Sequence, residues 1–375
     1  MPNNTPVRLS EICSIEQLAE HIEQGYIAVR THPNGKTHLL NYTARAQYGR
    51  VWTHETKLCR GLIVSAHPLD EDAVVIARPF AKFANAHEHG PDSPFGELPV
   101  DQPFEVFEKL DGSLAIAYEL DGAVSFATRG SFVSEQAQAA TALWQRRFGD
   151  VVLPQGVTLL FEYVAPWNRI VVGYDEEDLV LLGGIEIASG ADADLSGFAW
   201  PGRSARRFDG MAELSELASH MRSQDTADAE GFVLRFVGDD PAKPSLRAKV
   251  KYDEYLRLHR LVTGVSNVSI WEQLSNQLPL DELFERVPDE FHAFVTATVA
   301  ELQAAHDDYV HKARALAATL AGLPRKDAAA VILGQTEVPS GLVFAALDDK
   351  DVDLAAWRLV RPEHKVPEWA ARADS

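Results

Sequence analysis

The sequence changes character near residue 253, and that change limits the folds open to it. Before it, short apolar runs alternate with turn residues: YIAVR, HLLNY, GLIVSA, AVVIARPF, FEVFEKL, SLAIAYE, VSFAT, TLLFEYV, LVLLGGIEI, EGFVLRF and LRAKVKY. Their length and β-branched content predict strands, and Asp121-Gly122 between two of them predicts a hairpin turn. Helices are predicted over 11–25, where Ile15, Leu18, Ala19 and Ile22 share a face, and over 132–148 and 210–222. The fold class expected for this part is α+β with mostly antiparallel sheets. After residue 253 the pattern is helical, clearest over 287–322, an alanine-rich stretch carrying Phe291, Phe294, Val299 and Leu302 and ended by Gly322-Leu-Pro324. Shorter helices are expected at 325–334 and 352–359, so the expected division is an α+β domain, 1–253, followed by an all-helical domain, 254–375.

Two domains also suit 375 residues, 46% of them hydrophobic and 24% charged. No apolar run approaches the length of a membrane span. The start MPNNTPVRLSEIC lacks a secretory pattern, and Cys13 and Cys59 make neither a disulfide framework nor a zinc site. A cytoplasmic monomer is the expectation. The net charge of -20 argues against broad coating of nucleic acid but leaves room for a local basic groove.

The stretch FEKLDGSL, residues 107–114, sets Lys109 between apolar neighbours and follows it with Asp111, Gly112 and Ser113. Period-two alternation puts Lys109 and Asp111 on one strand face. Gly112 lets the chain turn or lets a ligand approach the backbone. A lysine so placed becomes a nucleophile if burial or nearby positive charge lowers its pKa. The plain alternative is a surface hairpin, because Lys-x-Asp-Gly is a common turn sequence.

Other segments bear on that choice. LRAKVKY sets Lys249 and Lys251 two apart, with both ammonium groups on one side, which is costly unless an anion such as a triphosphate sits between them. EGFVLRF opens on Glu230, and TLLFEYV places Glu162 late in an apolar strand, where it needs a ribose hydroxyl or metal as partner. CRGLIVS, RPFAKFAN and TRGSF supply Arg60, Lys82 and Arg129. Singly, each reads as a core-edge ion pair. Together they offer cations for phosphates, carboxylates for sugar and metal, and one nucleophile.

With these motifs in order over residues 35–260, the chain resembles the covalent nucleotidyltransferases, and within them the phage-type RNA ligase 1 family. KLDGS matches the family lysine motif; CRG, RPFAKFAN, FEYVAPWNRIVVGY, EGFVL and KVK match the rest. The resemblance implies an ATP-grasping nucleotidyltransferase domain, a helical C-terminal domain and an ATP-dependent ligase. Lys109 would take AMP from ATP, with Lys249 and Lys251 neutralising the α-phosphate. Arg60 and Lys82 would contact outer phosphates or RNA, Glu162 would hold the ribose, and Glu230 would help place magnesium, with manganese as the alternative. Arg129 stands where the family usually has lysine. Tyr42 best matches the tyrosine upstream of the Arg-Gly pair. The implied partner is RNA with 3′-hydroxyl and 5′-phosphate ends, cleaved tRNA among the candidates. A DNA ligase or mRNA-capping enzyme would share these residues but normally carries a β-rich domain after the last motif. A non-catalytic RNA-binding descendant would have little reason to keep Lys109. No Gly-x4-Gly-Lys loop marks a kinase module.

Overall fold

The computed structural model describes residues 6–209, 229–238, 240–252, 266–280 and 289–363. The chain divides into two compact units, Met1–Val262 and Thr263–Ser375. The boundary expected between residues 253 and 254, and the helix expected over 210–222, lie outside the described residues.

The first unit opens with α1 (Ile15–Glu23), whose Ser14 cap accepts the Gln17 N–H and whose Leu18 enters the core. The strands β1 (Ile27–Thr31), β2 (His38–Tyr42), β3 (Arg60–Val64) and β4 (Val75–Ala77) follow and pair antiparallel in sequence order. Two short helices, α2 (Ala44–Tyr48) and α3 (His54–Leu58), fill the connection between β2 and β3, where the sequence pattern predicts nothing regular. Threonine caps explain both: Thr43 and Thr53 accept the N–H of Ala46 and Thr56.

Next come β5 (Ala84–Asn85), β6 (Phe104–Lys109), β7 (Ser113–Leu120), β8 (Ala123–Ala127), β9 (Val157–Val164) and β10 (Asp178–Glu186). The last three are β11 (Arg207–Phe208), β12 (Gly231–Phe236) and β13 (Leu246–Lys251). They form two further sheets, ordered β10-β9-β7-β8 and β11-β6-β12-β13-β5. Every pairing is antiparallel except that of β13 with β5. Asp121 and Gly122 join β7 to β8 with φ of 51° and 79°, the left-handed pair such a tight hairpin needs. Helix α4 (Glu135–Arg147) covers the four-stranded sheet, and its Leu143 and Trp144 pack with Phe126 and Phe161.

In the second unit the described residues with regular structure are helical. The long helix Asp289–Leu320 packs Val310, Ala313 and Ala317 against Ile332 of Arg325–Gly334, Val343 of Ser340–Leu347 and Ala356 of Val352–Leu359. Alanine lets these helices approach closely. The molecule is therefore α+β with antiparallel sheets and C-terminal helices. Among the described residues no helix is long and apolar enough to cross a membrane.

Candidate active site

Strands β6 and β7 are consecutive in the chain but belong to different sheets. The KLDGS segment is therefore a crossover between sheets, not the surface hairpin it could have been. Lys109 is the last residue of β6, and only Leu110, Asp111 and Gly112 separate it from β7.

Strand pairing then delivers the charges. Gly231, at the head of β12, lies opposite Lys109 on one side and opposite Lys251 on the other. Glu230, just before it, is buried between the two lysines: Lys109 Nζ is 2.5 Å from Oε2 and Lys251 Nζ is 3.2 Å from Oε1. Burial alone would raise the Glu230 carboxyl, but the Lys109 and Lys251 ammonium groups hold it below the ordinary range. Gly231 makes the close approach feasible. Its φ is +147°, and a Cβ there would stand 2.1 Å from the Val250 carbonyl oxygen. The anion expected between the lysine pair is thus partly supplied by the protein: Lys251 has Glu230, while Lys249 Nζ lies 5.2 Å from the Phe83 ring centroid.

Asp111 departs from its expected place. It lies beyond the end of β6, so it does not share a strand face with Lys109. Its buried carboxylate accepts the N–H of Val171 and of Val172, each at 2.8 Å, while its own N–H donates to Tyr174 Oη at 2.9 Å. It ties the crossover to the 165–174 segment. Gly112 donates its N–H to Glu162 Oε1 at 3.2 Å, and a Cβ on it would meet the Tyr163 carbonyl oxygen at 2.4 Å. The backbone approached closely at Gly112 is the protein's own β9. Burial pushes the Glu162 carboxyl up to about 8; Lys109 opposes this, Glu230 and Asp111 add to it, and Arg60 opposes it. Near neutrality Glu162 is therefore largely a carboxylic acid, able to donate as well as accept.

The remaining cations gather around aromatic rings. Arg129 donates to Tyr42 Oη at 2.7 Å and also stacks 5.1 Å from that ring. Lys82 is buried with its ammonium 5.7 Å from Tyr42 and 5.4 Å from Trp52. Arg60 and Lys249 flank the Phe83 ring at 5.6 and 5.2 Å. Aromatic faces stabilise cations through the ring quadrupole. Trp52, Phe83 and Tyr174 are structural members of this region that motif reading did not single out. Tyr174 ends the FEYVAPWNRIVVGY motif and could have been found there; Trp52 lies in a stretch with no motif.

A metal held by Glu230 does not fit this arrangement. Both of its oxygens are bonded to ammonium groups, and among the described residues no three His, Cys, Asp or Glu side chains gather as a metal site.

A family model for RNA ligases matches residues 58–255, just over half of the chain. The chain belongs to the RNA ligase family. The matched span holds every candidate site residue except Tyr42. Among curated relatives, it is 28% identical over 207 residues to a candidate RNA ligase of Thermovibrio ammonificans, covering 52% of each chain. It is 25% identical over 241 residues to a candidate bifunctional polynucleotide kinase/RNA ligase of Autographa californica nuclear polyhedrosis virus, covering 58% of this chain and 33% of that one. The chain thus spans about half the length of the first relative and a third of the second. Among solved structures, an archaeal ATP-dependent RNA ligase superposes with a TM-score of 0.43 at 16% identity over 76% of this chain and 75% of that one.

Proposed function

We propose that this member of the RNA ligase family joins RNA 3′-hydroxyl and 5′-phosphate ends at the expense of ATP, with Lys109 carrying AMP in between. The observation that supports this most is the Lys109–Glu230–Lys251 arrangement. One lysine ends β6 at the crossover with 20% of its side chain exposed, and the other is nearly buried, which separates a reacting amine from a fixed charge. Lys109 Nζ attacks the α-phosphorus, an N–P bond forms, and the bond to the bridging oxygen breaks as pyrophosphate leaves. Nζ must lose a proton before it attacks. The Glu230 oxygen 2.5 Å away orients the group but is kept ionised by its two ammonium neighbours, so the proton passes to solvent or to the departing pyrophosphate. Lys251 and Lys249 offset the charge that grows on the phosphate. The RNA 5′-phosphate oxygen then displaces Lys109 from the AMP phosphorus, and the 3′-hydroxyl of the second strand displaces AMP from the RNA.

Glu162, uncharged near neutrality, suits a hydrogen bond with the ribose. Arg60, Lys82 and Arg129 form the cationic wall for outer phosphates or RNA. Magnesium, with manganese as the alternative, would enter with the triphosphate oxygens rather than on a protein cage. Residues 1–253 would carry this chemistry and 254–375 would influence the choice of RNA.

The test is incubation with α-labelled ATP and magnesium followed by denaturing electrophoresis and mass spectrometry. A label retained in Lys109→Ala would refute the assignment. RNA with the stated ends should then discharge the label and be joined; a failure to seal any RNA with the label intact would confine the activity to adenylation.

A further inference from the structure

The turn that follows β9 leaves one large ring in solvent. Trp167, in the short 3-10 turn Pro166–Asn168, is 47% exposed. Among the described residues it is the only exposed phenylalanine, tyrosine or tryptophan. A scattered apolar side chain needs no explanation. Trp167 differs in where it stands and in how firmly it is held.

Its place is beside the crossover that carries Lys109. Asn168, next in the chain, donates from Nδ2 to Ser113 Oγ at 3.1 Å and to the Tyr163 carbonyl at 3.3 Å. Ser113 opens β7, four residues after Lys109, a span of at most roughly 14 Å at ~3.5 Å per residue. From the other side Gln136 donates to Asn168 Oδ1 at 3.2 Å. That bond ties the turn to the start of α4, just after Val133, which is 55% exposed and follows Arg129 of the cationic wall by four residues.

The ring is also held in place. Pro166 fixes the backbone at the head of the turn. Tyr163 backs the indole with 5.8 Å between centroids and a 50° tilt. Tyr163 is itself buried and anchored: its Oη donates to Glu177 Oε1 at 2.5 Å, and Arg146 donates to Oε2 at 2.7 Å. A flat ring so fixed, and open to water elsewhere, lets a nucleobase stack with little further loss of side-chain freedom. The apolar surface offered is Trp167 and Val133 in a polar surround. That suits one base and falls far short of the roughly 800 Å² per partner of a stable protein interface. Charge gives the contact its use. In a chain of net charge -20, attraction for phosphates is confined to local cations and weakens as salt rises, whereas stacking is neutral.

We infer that Trp167 is a stacking platform for one base of a single-stranded RNA segment beside the joined ends, within about six nucleotides of the junction at ~3.4 Å each. The choice of RNA as occupant rests on the ligase reading above.

The probes are two fluorescein-labelled decaadenylates, one with a 5′-phosphate and one with a free 3′-hydroxyl, each labelled at its other end. Binding to the full-length protein with magnesium is followed by anisotropy. Trp167→Ala should weaken at least one probe at least fivefold, and Trp167→Phe should stay within threefold of wild type. Trp167→Leu, which still covers Tyr163 but has no π-face, should be as weak as Trp167→Ala. Self-adenylation should be unchanged in all three, and so should the slope of log affinity against log salt, because no phosphate contact is lost. An abasic residue moved through the six positions nearest the junction should weaken wild type at one position and leave Trp167→Ala unaffected there.

Wild-type affinity in Trp167→Ala or Trp167→Leu would overturn the inference. A changed salt slope would do the same, as would an abasic series that weakens both proteins alike or a wild type that binds neither probe. Should the chain fail to self-adenylate yet show the coupled abasic position, the ligase reading fails and the platform stands. Should it adenylate and seal RNA while Trp167→Ala binds like wild type, the platform alone fails.

Discussion

Lys109 and Lys251 share one carboxylate across the strand that separates them. Glu230 enters from just ahead of β12, and each of its oxygens holds one ammonium group. Such a triad is more than the sum of its charges, because removing a member leaves the others buried without their partner.

Alternation along β13 alone would suggest that losing Lys251 relieves repulsion with Lys249. The geometry reverses that expectation. Lys251→Ala leaves Glu230 buried with Lys109 as its remaining ion-pair partner, and a loss of roughly 1–3 kcal/mol in stability is expected, below the ~3–5 of a fully broken buried pair. Adding Glu230→Gln should restore part of it. Urea melts of the two single variants and the double variant measure the coupling. Strict additivity would show that the contact carries no energy.

Gly231→Ala introduces a Cβ where the Val250 carbonyl and the Lys251 backbone already stand, at a φ of +147°. Strain of roughly 1–3 kcal/mol is expected, with adenylation falling at least tenfold because both lysines are registered against this residue. A variant with wild-type melting and wild-type adenylation would show that the strands part freely here.

Glu162 gives stability a particular pH dependence. Its carboxyl is raised from the ordinary 4.5 to about 8 in the fold, so between those values the folded chain holds a proton that the unfolded chain has released. Stability from this group therefore falls as pH rises from 4.5 toward 8 and levels off above. Glu162→Gln should remove the slope, leaving the variant more stable than wild type at pH 9 by on the order of 5 kcal/mol and little different at pH 4. Parallel slopes across that range would mean the carboxyl ionises normally.

A fragment spanning residues 1–262 contains every candidate site residue and corresponds to the first compact unit. It is expected to self-adenylate at a rate within about threefold of the full chain while losing preference between a nicked tRNA stem-loop and an unstructured RNA. Aggregation of the fragment would instead mean that the helices cover an apolar face of the catalytic part.

The strands were legible because apolar runs of this length have few other uses, and motif order singled out Lys109, Glu230 and Lys251, which the fold brings together. The partners were not legible. Lys109 and Glu230 are 121 residues apart, and nothing local in KLDGS reveals that a carboxylate waits in the next strand. Asp111 was misread because alternation assumes the strand continues, whereas the chain leaves β6 at Lys109 and turns inward. Helices α2 and α3 escaped notice because five residues are too few to show a helical period; their threonine caps were the available signal.

The crossover of three residues between β6 and β7 has a mechanical meaning. Lys109 is anchored to one sheet, while Gly112 is fastened by Glu162 to the other. So short a tether has almost no slack, and any shear between the two sheets pulls directly on Lys109. The distance from the Lys109 ammonium to the Glu162 carboxyl is thus a strain gauge for the two sheets, and anything that wedges them apart would register there first.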